Sequence, residues 1–173
     1  MMSIFRSARG KAATIALGIV GCIAVAGMAI GLGPLANHRA ADASGSGVAA
    51  QGADVADGQF TFSAQSIECG YTKFAGHEAA GQFCVLPVTV TNSGDVGQPF
   101  NDSAQFLLDA DGRRYSPSDR TMWDANPDAS TDNINPGLSV DWTLVWDVPA
   151  TMRPVAVEFH DSVLSGGVRQ SLS

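Results

Sequence analysis

An aspartate-rich stretch at residues 118–133 (SDRTMWDANPDASTDN) contains the side chains best suited to binding or chemistry. Its carboxylates are those of Asp119, Asp124, Asp128 and Asp132. Carboxylate oxygens are calcium ligands, and a loop of about 16 residues without secondary structure is typically functional or mobile. The sequence favours a solvated connection in which Trp123 caps one end of the fold. The alternatives are a loop that contacts a protein or glycan through Trp123, Asp124, Asp128 and Asp132, and a calcium site.

Two other patterns have the residue types of metal sites without the spacing. The Asp-Ala-Asp-Gly sequence at residues 109–112 resembles the start of an EF-hand loop, but the twelfth position is Arg120 rather than Glu. A hairpin turn with Gly112 in the left-handed conformation is the favoured interpretation. No H-x-x-x-H or H-E-x-x-H spacing links the histidines, which are His38, His77 and His160. We therefore predict no metal ligands and expect these histidines to be exposed.

Sequence signatures of an enzyme are missing as well. No G-x-S-x-G or comparable nucleophile turn is present. A hydrolase would instead need Ser, His and Asp side chains to converge in the folded chain. We predict no catalytic residues, no cofactor and no enzymatic activity.

The clearest periodicity lies at residues 134–149 (INPGLSVDWTLVWDVP). Bulky apolar side chains occupy every second position there, and they are Val140, Trp142, Leu144, Trp146 and Val148. This alternation predicts a β-strand with one buried face. We interpret the two tryptophans as core residues rather than as a ligand-stacking platform, provided that each indole N–H finds a hydrogen-bond partner.

Further alternating segments, each bounded by turn residues, are typical of β-strands. They lie at residues 59–68, 83–92, 105–109, 113–116, 155–159 and 168–172. Pro87 indicates either an edge strand or an unpaired position within a strand. About seven strands without a helical period predict an all-β domain, an antiparallel β-sandwich, at residues 58–173.

Residues 1–36 have the composition of a signal or membrane anchor. Residues 12–36 carry no charge and would be about 37 Å long as a helix, enough to cross a bilayer core. The preceding basic residues, Arg6, Arg9 and Lys11, predict a cytoplasmic N terminus and an external domain. We favour a retained transmembrane helix, and the alternatives are a cleaved signal peptide and a lipoprotein signal at Cys22. Each alternative exports the domain.

Residues 37–57 are mainly Ala, Gly, Ser and Asp, with two valines as the only larger apolar side chains. Such a segment cannot offset its ordering entropy by burial. We predict a flexible linker between the N-terminal segment and the domain.

The cysteine count predicts one disulfide. Of the three cysteines, Cys22 lies in the apolar N-terminal run, which leaves Cys69 and Cys84 as a pair in an exported domain, where disulfides persist. A hairpin-like return through residues 70–82 would bring the two together. The alternative is a pair of free thiols.

Charge excludes one class of partner. The net charge is −7, and the three basic residues of the N-terminal segment leave the remainder with 17 acidic and seven of the ten basic residues. Nucleic-acid binding requires a basic surface, so we predict no nucleic-acid partner.

Four short motifs together resemble a known family, the exported bacterial domains of unknown function named DUF4352. The matching pieces are VTVTN-SGD at 88–95, LLDADG at 107–112, NPG at 135–137 and LVWDVP at 144–149. The resemblance covers roughly residues 58–172. It implies an immunoglobulin-like sandwich outside the membrane, related in fold to mycobacterial immunoprotective extracellular proteins. It implies no agreed activity and no catalytic residues.

The combined expectation is an exported, membrane-tethered, non-enzymatic immunoglobulin-like domain that contacts an envelope or extracellular protein. The membrane would be engaged through the N-terminal helix. The alternative function is a small-ligand or calcium-binding envelope protein that uses residues 118–133.

Overall fold

The computed structural model describes residues 47–129 and 133–172, which form a two-sheet β-structure. In these residues the strands are β1 Val48–Ala49, β2 Val55–Asp57, β3 Phe60–Ala64, β4 Glu68–Phe74, β5 His77–Asn92, β6 Gln98–Pro99, β7 Phe106–Asp109, β8 Arg114–Tyr115, β9 Asn133–Ile134, β10 Ser139–Val148, β11 Pro154–Phe159 and β12 Val168–Ser171. A 3-10 turn lies at Asp102–Ala104, and one helix, α1, at Asp119–Ala125. The predicted all-β sandwich is confirmed.

One sheet has the strand order β1-β12-β11-β7-β8. The other has the order β10-β5-β3-β2, with β4 also paired to β5. A small ribbon joins β6 and β9. Seven of the described strands have four or more residues, and six of these seven correspond to predicted segments. The seventh, β4, was not predicted as a strand, and the strand predicted at 113–116 is the two-residue β8.

The long pair β5–β10 is the centre of the second sheet. It runs in unbroken antiparallel register from Ser139 opposite Thr91 to Val148 opposite Gln82. Of the predicted inner face of β10, four side chains are buried and Val140 is half-buried. Val145, on the opposite face, is also fully buried, because α1 packs against this strand.

Aromatic side chains join the two sheets. Phe62 of β3 and Phe159 of β11 stack with ring centroids 4.7 Å apart, and neither is exposed to solvent. The indole N–H of Trp146 donates to the backbone carbonyl of Gln105 at 3.2 Å. The indole N–H of Trp142 is buried without a hydrogen-bond partner among the described residues. Only Trp146 therefore meets the condition stated above, that the indole N–H of a core tryptophan finds a partner.

Pro87 lies within the central strand β5, not at an edge. One side of β5 pairs with β10, and the other pairs first with β4 and then with β3. Pro87 falls at the junction of those two strands, where its carbonyl accepts from the N–H of Gln65 at 3.0 Å. The second predicted position, an unpaired site within a strand, is therefore the observed one.

The predicted linker is wrong in its C-terminal part. Val48 and Ala49 form β1, which pairs in parallel with β12, and β2 pairs with β3. Val55 is completely buried, and the side chain of Gln170 donates to the carbonyl of Ala53 at 2.8 Å. Strand pairing therefore satisfies the backbone of a segment whose side chains alone predict no structure.

The predicted signal or anchor at residues 1–36, Cys22 and the first part of the linker lie outside the described residues. Within residues 47–129 and 133–172, no helix is long and apolar enough to cross a membrane.

Candidate functional site

The aspartate-rich stretch forms the helix α1 along the free edge of β10, which corrects the prediction of a loop without structure. Its backbone is tied to the strand by the N–H of Ser118, which donates to the carbonyl of Val145 at 2.7 Å. The helix begins after Ser118 and ends at Ala125, and Asn126 follows as its C-cap.

Asn126 takes the place of a neighbouring strand for β10. Its side-chain oxygen accepts from the N–H of Thr143 at 2.7 Å, and its side-chain nitrogen donates to the carbonyl of Thr143 at 2.9 Å. The same nitrogen donates to the carbonyl of Met122 at 2.7 Å. One side chain thus closes the outer edge of the sheet and ends the helix.

Trp123 does not cap the sandwich. The helix directs Thr121, Met122 and Ala125 inward, and Met122 is 1% exposed. Trp123 lies on the outer side and is 68% exposed. The spacing of the three inward residues is that of one helix face, a signal that the sequence does contain.

The helix is also tied to the β4–β5 hairpin. His77 Nε2 and Asp124 Oδ2 are 2.6 Å apart, with the two side chains 22% and 50% exposed. Sequence reasoning missed this pair because the partners are 47 residues apart. The expectation that His77 is simply exposed is wrong, since it joins two elements.

Two aromatic residues of β4 lie on the same face of the sheet as His77. Phe74 is paired with His77 and Tyr71 with Phe83, and directly opposed residues share a face. The Tyr71 and Phe74 rings are 5.8 Å apart, and Tyr71 is 37% exposed. We name the set Tyr71, Phe74, His77, Trp123 and Asp124 the α1 surface.

The remaining aspartates of the stretch do not form a calcium site with these residues. Burial raises the pKa of the Asp102 carboxyl, and the nearby negative charge of Asp119 raises it further, partly offset by backbone N–H donors. Asp128 is exposed beyond the helix, and Asp132 lies outside the described residues. In the part of the chain that the structure describes, no group of three His, Cys, Asp or Glu side chains could hold a metal ion.

The disulfide predicted from the sequence is present between Cys69 and Cys84. The two residues are directly opposed on β4 and β5, with Cα atoms 4.0 Å apart. Residues 70–82 form the predicted hairpin, with a turn at Ala75 and Gly76, both of which have positive φ. The bridge holds the base of the hairpin that contributes to the α1 surface.

The Asp-Ala-Asp-Gly sequence forms the hairpin turn between β7 and β8, with Gly112 at φ +76°. The carboxylate of Asp109 accepts from the backbone N–H of Asp111 at 3.0 Å and of Arg113 at 2.9 Å. It also accepts from the hydroxyl of Tyr115 at 3.0 Å. The turn borders a cleft of about 290 Å³, but its acidic group is already committed to the turn.

His160 belongs to a hydrogen-bonded chain that sequence reasoning missed. It is 7% exposed, not an exposed histidine as expected. Its Nε2 lies 2.9 Å from Glu158 Oε1 and its Nδ1 lies 3.1 Å from Ser165 Oγ. Because a carboxylate only accepts, Nε2 donates to Glu158. The Ser165 hydroxyl donates to the carbonyl of Ser162 at 3.0 Å. The Ser–His–Glu sequence of contacts is similar to that of a serine hydrolase triad, but the two ring nitrogens are used the opposite way round, since in a triad the serine bonds to Nε2 and the acid to Nδ1.

Glu158 nevertheless differs from the acid of such a triad, because two arginines also bind it. Arg114 Nη2 is 2.5 Å from Oε1 and Arg169 Nε is 2.6 Å from Oε2. Burial alone would raise the pKa of Glu158, but the hydrogen bonds from His160 and Arg169 and the charge of Arg114 lower it below its ordinary value. The partners come from β8 and β12, so no local spacing reveals the cluster.

Comparison with known proteins assigns the family. The sequence model of a domain of unknown function, DUF4352, matches residues 50–169. The chain belongs to the DUF4352 family. No curated protein matches it. Among solved structures it is similar to MPT63, a secreted protein of Mycobacterium tuberculosis, with 16% identity, a TM-score of 0.56 and coverage of 73% of this chain and 99% of that chain.

A second solved structure gives the same result for the fold. The YjhA protein of Bacillus subtilis is 12% identical, with a TM-score of 0.57 and coverage of 73% of this chain and all of that chain. At these identities the likeness concerns the fold.

Proposed function

We propose that this DUF4352 protein is an exported, membrane-tethered, non-enzymatic immunoglobulin-like domain that binds an envelope or extracellular protein through the α1 surface. Export and tethering are supported by the uncharged run at residues 12–36 with its preceding basic residues. The structural neighbour MPT63 is described as a secreted protein, which is consistent with an external location.

The exposure of Trp123 is the observation that carries the binding function. A tryptophan that is 68% exposed is unusual for a residue type rich in apolar surface, and tryptophan is enriched among the residues that dominate binding energy. Asn126 and the His77–Asp124 pair hold its helix in place, so little ordering entropy is lost when a partner covers it. The partner should offer an apolar pocket for the indole, with donors or positive charge near Asp124.

Photocrosslinking tests this proposal. The full chain with a photoreactive residue at Tyr71, a partly exposed residue of the α1 surface on β4, would be irradiated in envelope preparations with and without Trp123→Ala. We expect one discrete crosslinked protein, lost on Trp123→Ala and retained on Arg120→Ala, an exposed change in the same helix. If the chain without a further substitution, the Trp123→Ala chain and the Arg120→Ala chain all gave the same crosslinks, the α1 surface would not be the binding site.

The proposed absence of catalysis has its own test, because His160 contacts both Ser165 and Glu158, as the histidine of a catalytic triad contacts its serine and its acid. Glu158 is neutralised by two guanidinium groups, and His160 is almost wholly buried, which disfavours a reacting Ser165. A fluorophosphonate probe should therefore leave the full chain unlabelled. Labelling that disappears in Ser165→Ala would overturn the non-enzymatic proposal.

Calcium binding is the second candidate, because the negative charge of Asp119 helps to raise the pKa of the partly buried Asp102 carboxyl. A bound cation would relieve that repulsion. Calcium titration followed by tryptophan fluorescence distinguishes the candidates. A response at millimolar Ca²⁺ that is lost in Asp119→Asn would support this site, and no response would remove it.

A further inference from the structure

The loop between β11 and β12 exposes two adjacent aliphatic side chains at its apex. Residues 162–165 form a β-turn in which the N–H of Ser165 donates to the carbonyl of Ser162 at 3.2 Å. Val163 and Leu164 occupy its two central positions and are 71% and 93% exposed. Turn centres normally hold Gly, Pro, Asn, Asp or Ser, so these two residues contribute nothing to the turn itself.

The turn is held rigidly by the buried network beneath it. The Ser165 hydroxyl donates to the carbonyl of Ser162 at 3.0 Å, and its oxygen lies 3.1 Å from His160 Nδ1. Gly167, at φ +71°, lies against the imidazole so closely that a Cβ there would be 2.5 Å from His160 Cε1. Val163 and Leu164 are therefore presented in a fixed position rather than on a loosely attached loop.

Two more exposed aliphatic residues lie at the same end of the sandwich. Val96, just beyond the end of β5, is 58% exposed, and Leu138, just before β10, is 57% exposed. The two sheets are joined at this end because the N–H of Gln59 donates to Asp161 Oδ2 at 3.1 Å. We name the set Val96, Leu138, Val163 and Leu164 the aliphatic end.

The chain enters the domain at this end. Val48 of β1 pairs in parallel with Arg169, near the start of β12, and the start of β12 follows the Val163–Leu164 turn. Ten residues separate the uncharged run, which ends at Ala36, from Gly47. A chain of ten residues spans at most about 36 Å. If the uncharged run lies in the bilayer, as proposed above, the entry end of the domain cannot be farther from the bilayer than that.

We propose that the aliphatic end docks into the interfacial region of the membrane to which the chain is tethered. This inference rests on the tether of the proposed function. The loops at residues 93–97, 135–138 and 161–167 contain no Lys or Arg, and Asp95 is exposed. Headgroup attraction therefore does not contribute, and binding is apolar, insensitive to salt and stronger on neutral than on anionic lipid. Docking orients the α1 surface and the β4–β5 hairpin relative to the membrane.

A probe on the turn tests the docking. The full chain with Cys22→Ser and Leu164→Cys, labelled with a polarity-sensitive dye, would be reconstituted into phosphatidylcholine vesicles. The matched control carries the dye at Ala110→Cys, in the β7–β8 turn at the opposite end of the sandwich. We expect a blue-shifted emission and several-fold stronger quenching by lipid-borne quenchers at position 164 only, and a weaker effect when phosphatidylglycerol is added.

Flotation of the same samples separates the two proposals. Protein that floats with vesicles while both dyes report water would leave the tether standing and overturn the docking. Protein that does not float would overturn the tether and the docking together.

The dye at position 164 also distinguishes other occupants of the aliphatic end. An emission shift that grows with the amount of protein per vesicle at constant lipid would identify a second copy of the chain as the occupant. A shift that needs added envelope protein would identify a protein partner. Both results contradict lipid docking.

Discussion

The Asn126 side chain makes three hydrogen bonds, two to the edge strand β10 and one to the last turn of α1. Its removal should therefore loosen the helix and the edge of the sheet together. Asn126→Ala deletes the bonds to both backbone groups of Thr143 and to the carbonyl of Met122. Each such bond contributes about 1 kcal/mol net, and Thr143 is only half-buried, so water replaces part of the loss. We expect the free energy of unfolding to fall by about 2 kcal/mol.

The near-isosteric Asn126→Asp gives the sharper comparison. Its carboxylate still accepts from the N–H of Thr143 but cannot donate to either carbonyl, and it faces both of those oxygens with a negative charge. We therefore expect Asp to destabilise at least as much as Ala, although its shape is almost unchanged.

Urea denaturation of the purified protein measures these differences, and hydrogen exchange at the Thr143 amide reports the edge itself. Hydrogen exchange at the Thr143 amide should accelerate in Asn126→Ala. The control is Asp128→Ala, an exposed change just beyond the helix, whose free energy of unfolding should stay within about 0.5 kcal/mol of that of the wild type. If the unfolding free energies of both Asn126→Ala and Asn126→Asp lay within about 0.5 kcal/mol of the wild-type value, the view that this side chain replaces a neighbouring strand would be refuted.

Trp146→Ala should lower the unfolding free energy by about 3–5 kcal/mol, because a fully buried side chain leaves a cavity; a loss under about 1 kcal/mol in urea titration would contradict its core position. Replacing Cys69 and Cys84 by Ser should cost about 3 kcal/mol, since the bridge closes a loop of 15 residues; an unfolding midpoint that is the same with and without reductant would argue against this. The lowered pKa of Glu158 contributes stability above its ordinary pKa of 4.5, and this is lost as the pH falls through the lower folded value. The stability deficit of Glu158→Gln should thus shrink below pH 4.5 in denaturation measured across pH, and a deficit that does not change with pH would be inconsistent with this linkage.

The sequence was informative where structure depends on local alternation. The inner face of β10 is visible as every second residue from Val140 to Val148, and the disulfide follows from the cysteine count. The helix α1 was missed because seven residues give barely two turns, and because the most apolar residue, Trp123, suggests burial while Met122 is the one buried.

The polar clusters could not have been predicted by spacing. His77 meets Asp124 only because the hairpin and the helix lie on the same side of the sheet. Glu158 is bound by Arg114 of β8 and Arg169 of β12, so its environment exists only after the sheet has formed. The short strand β1 shows the same limit, since parallel pairing with the last strand of the chain leaves no local signal.

That short strand also determines how the domain would respond to tension. Force applied along the chain from the N-terminal side enters the described domain at Gly47. It is first resisted by the two paired residues of β1, then by the bond from Gln170 to Ala53 and the bond from Ser63 to Asp54. Once these give way, residues 47–54 span at most about 27 Å before force reaches the buried Val55. The core strands and the disulfide lie beyond that point. A partner that pulled against the proposed tether would thus lengthen the attachment at residues 47–54 while the α1 surface keeps its shape.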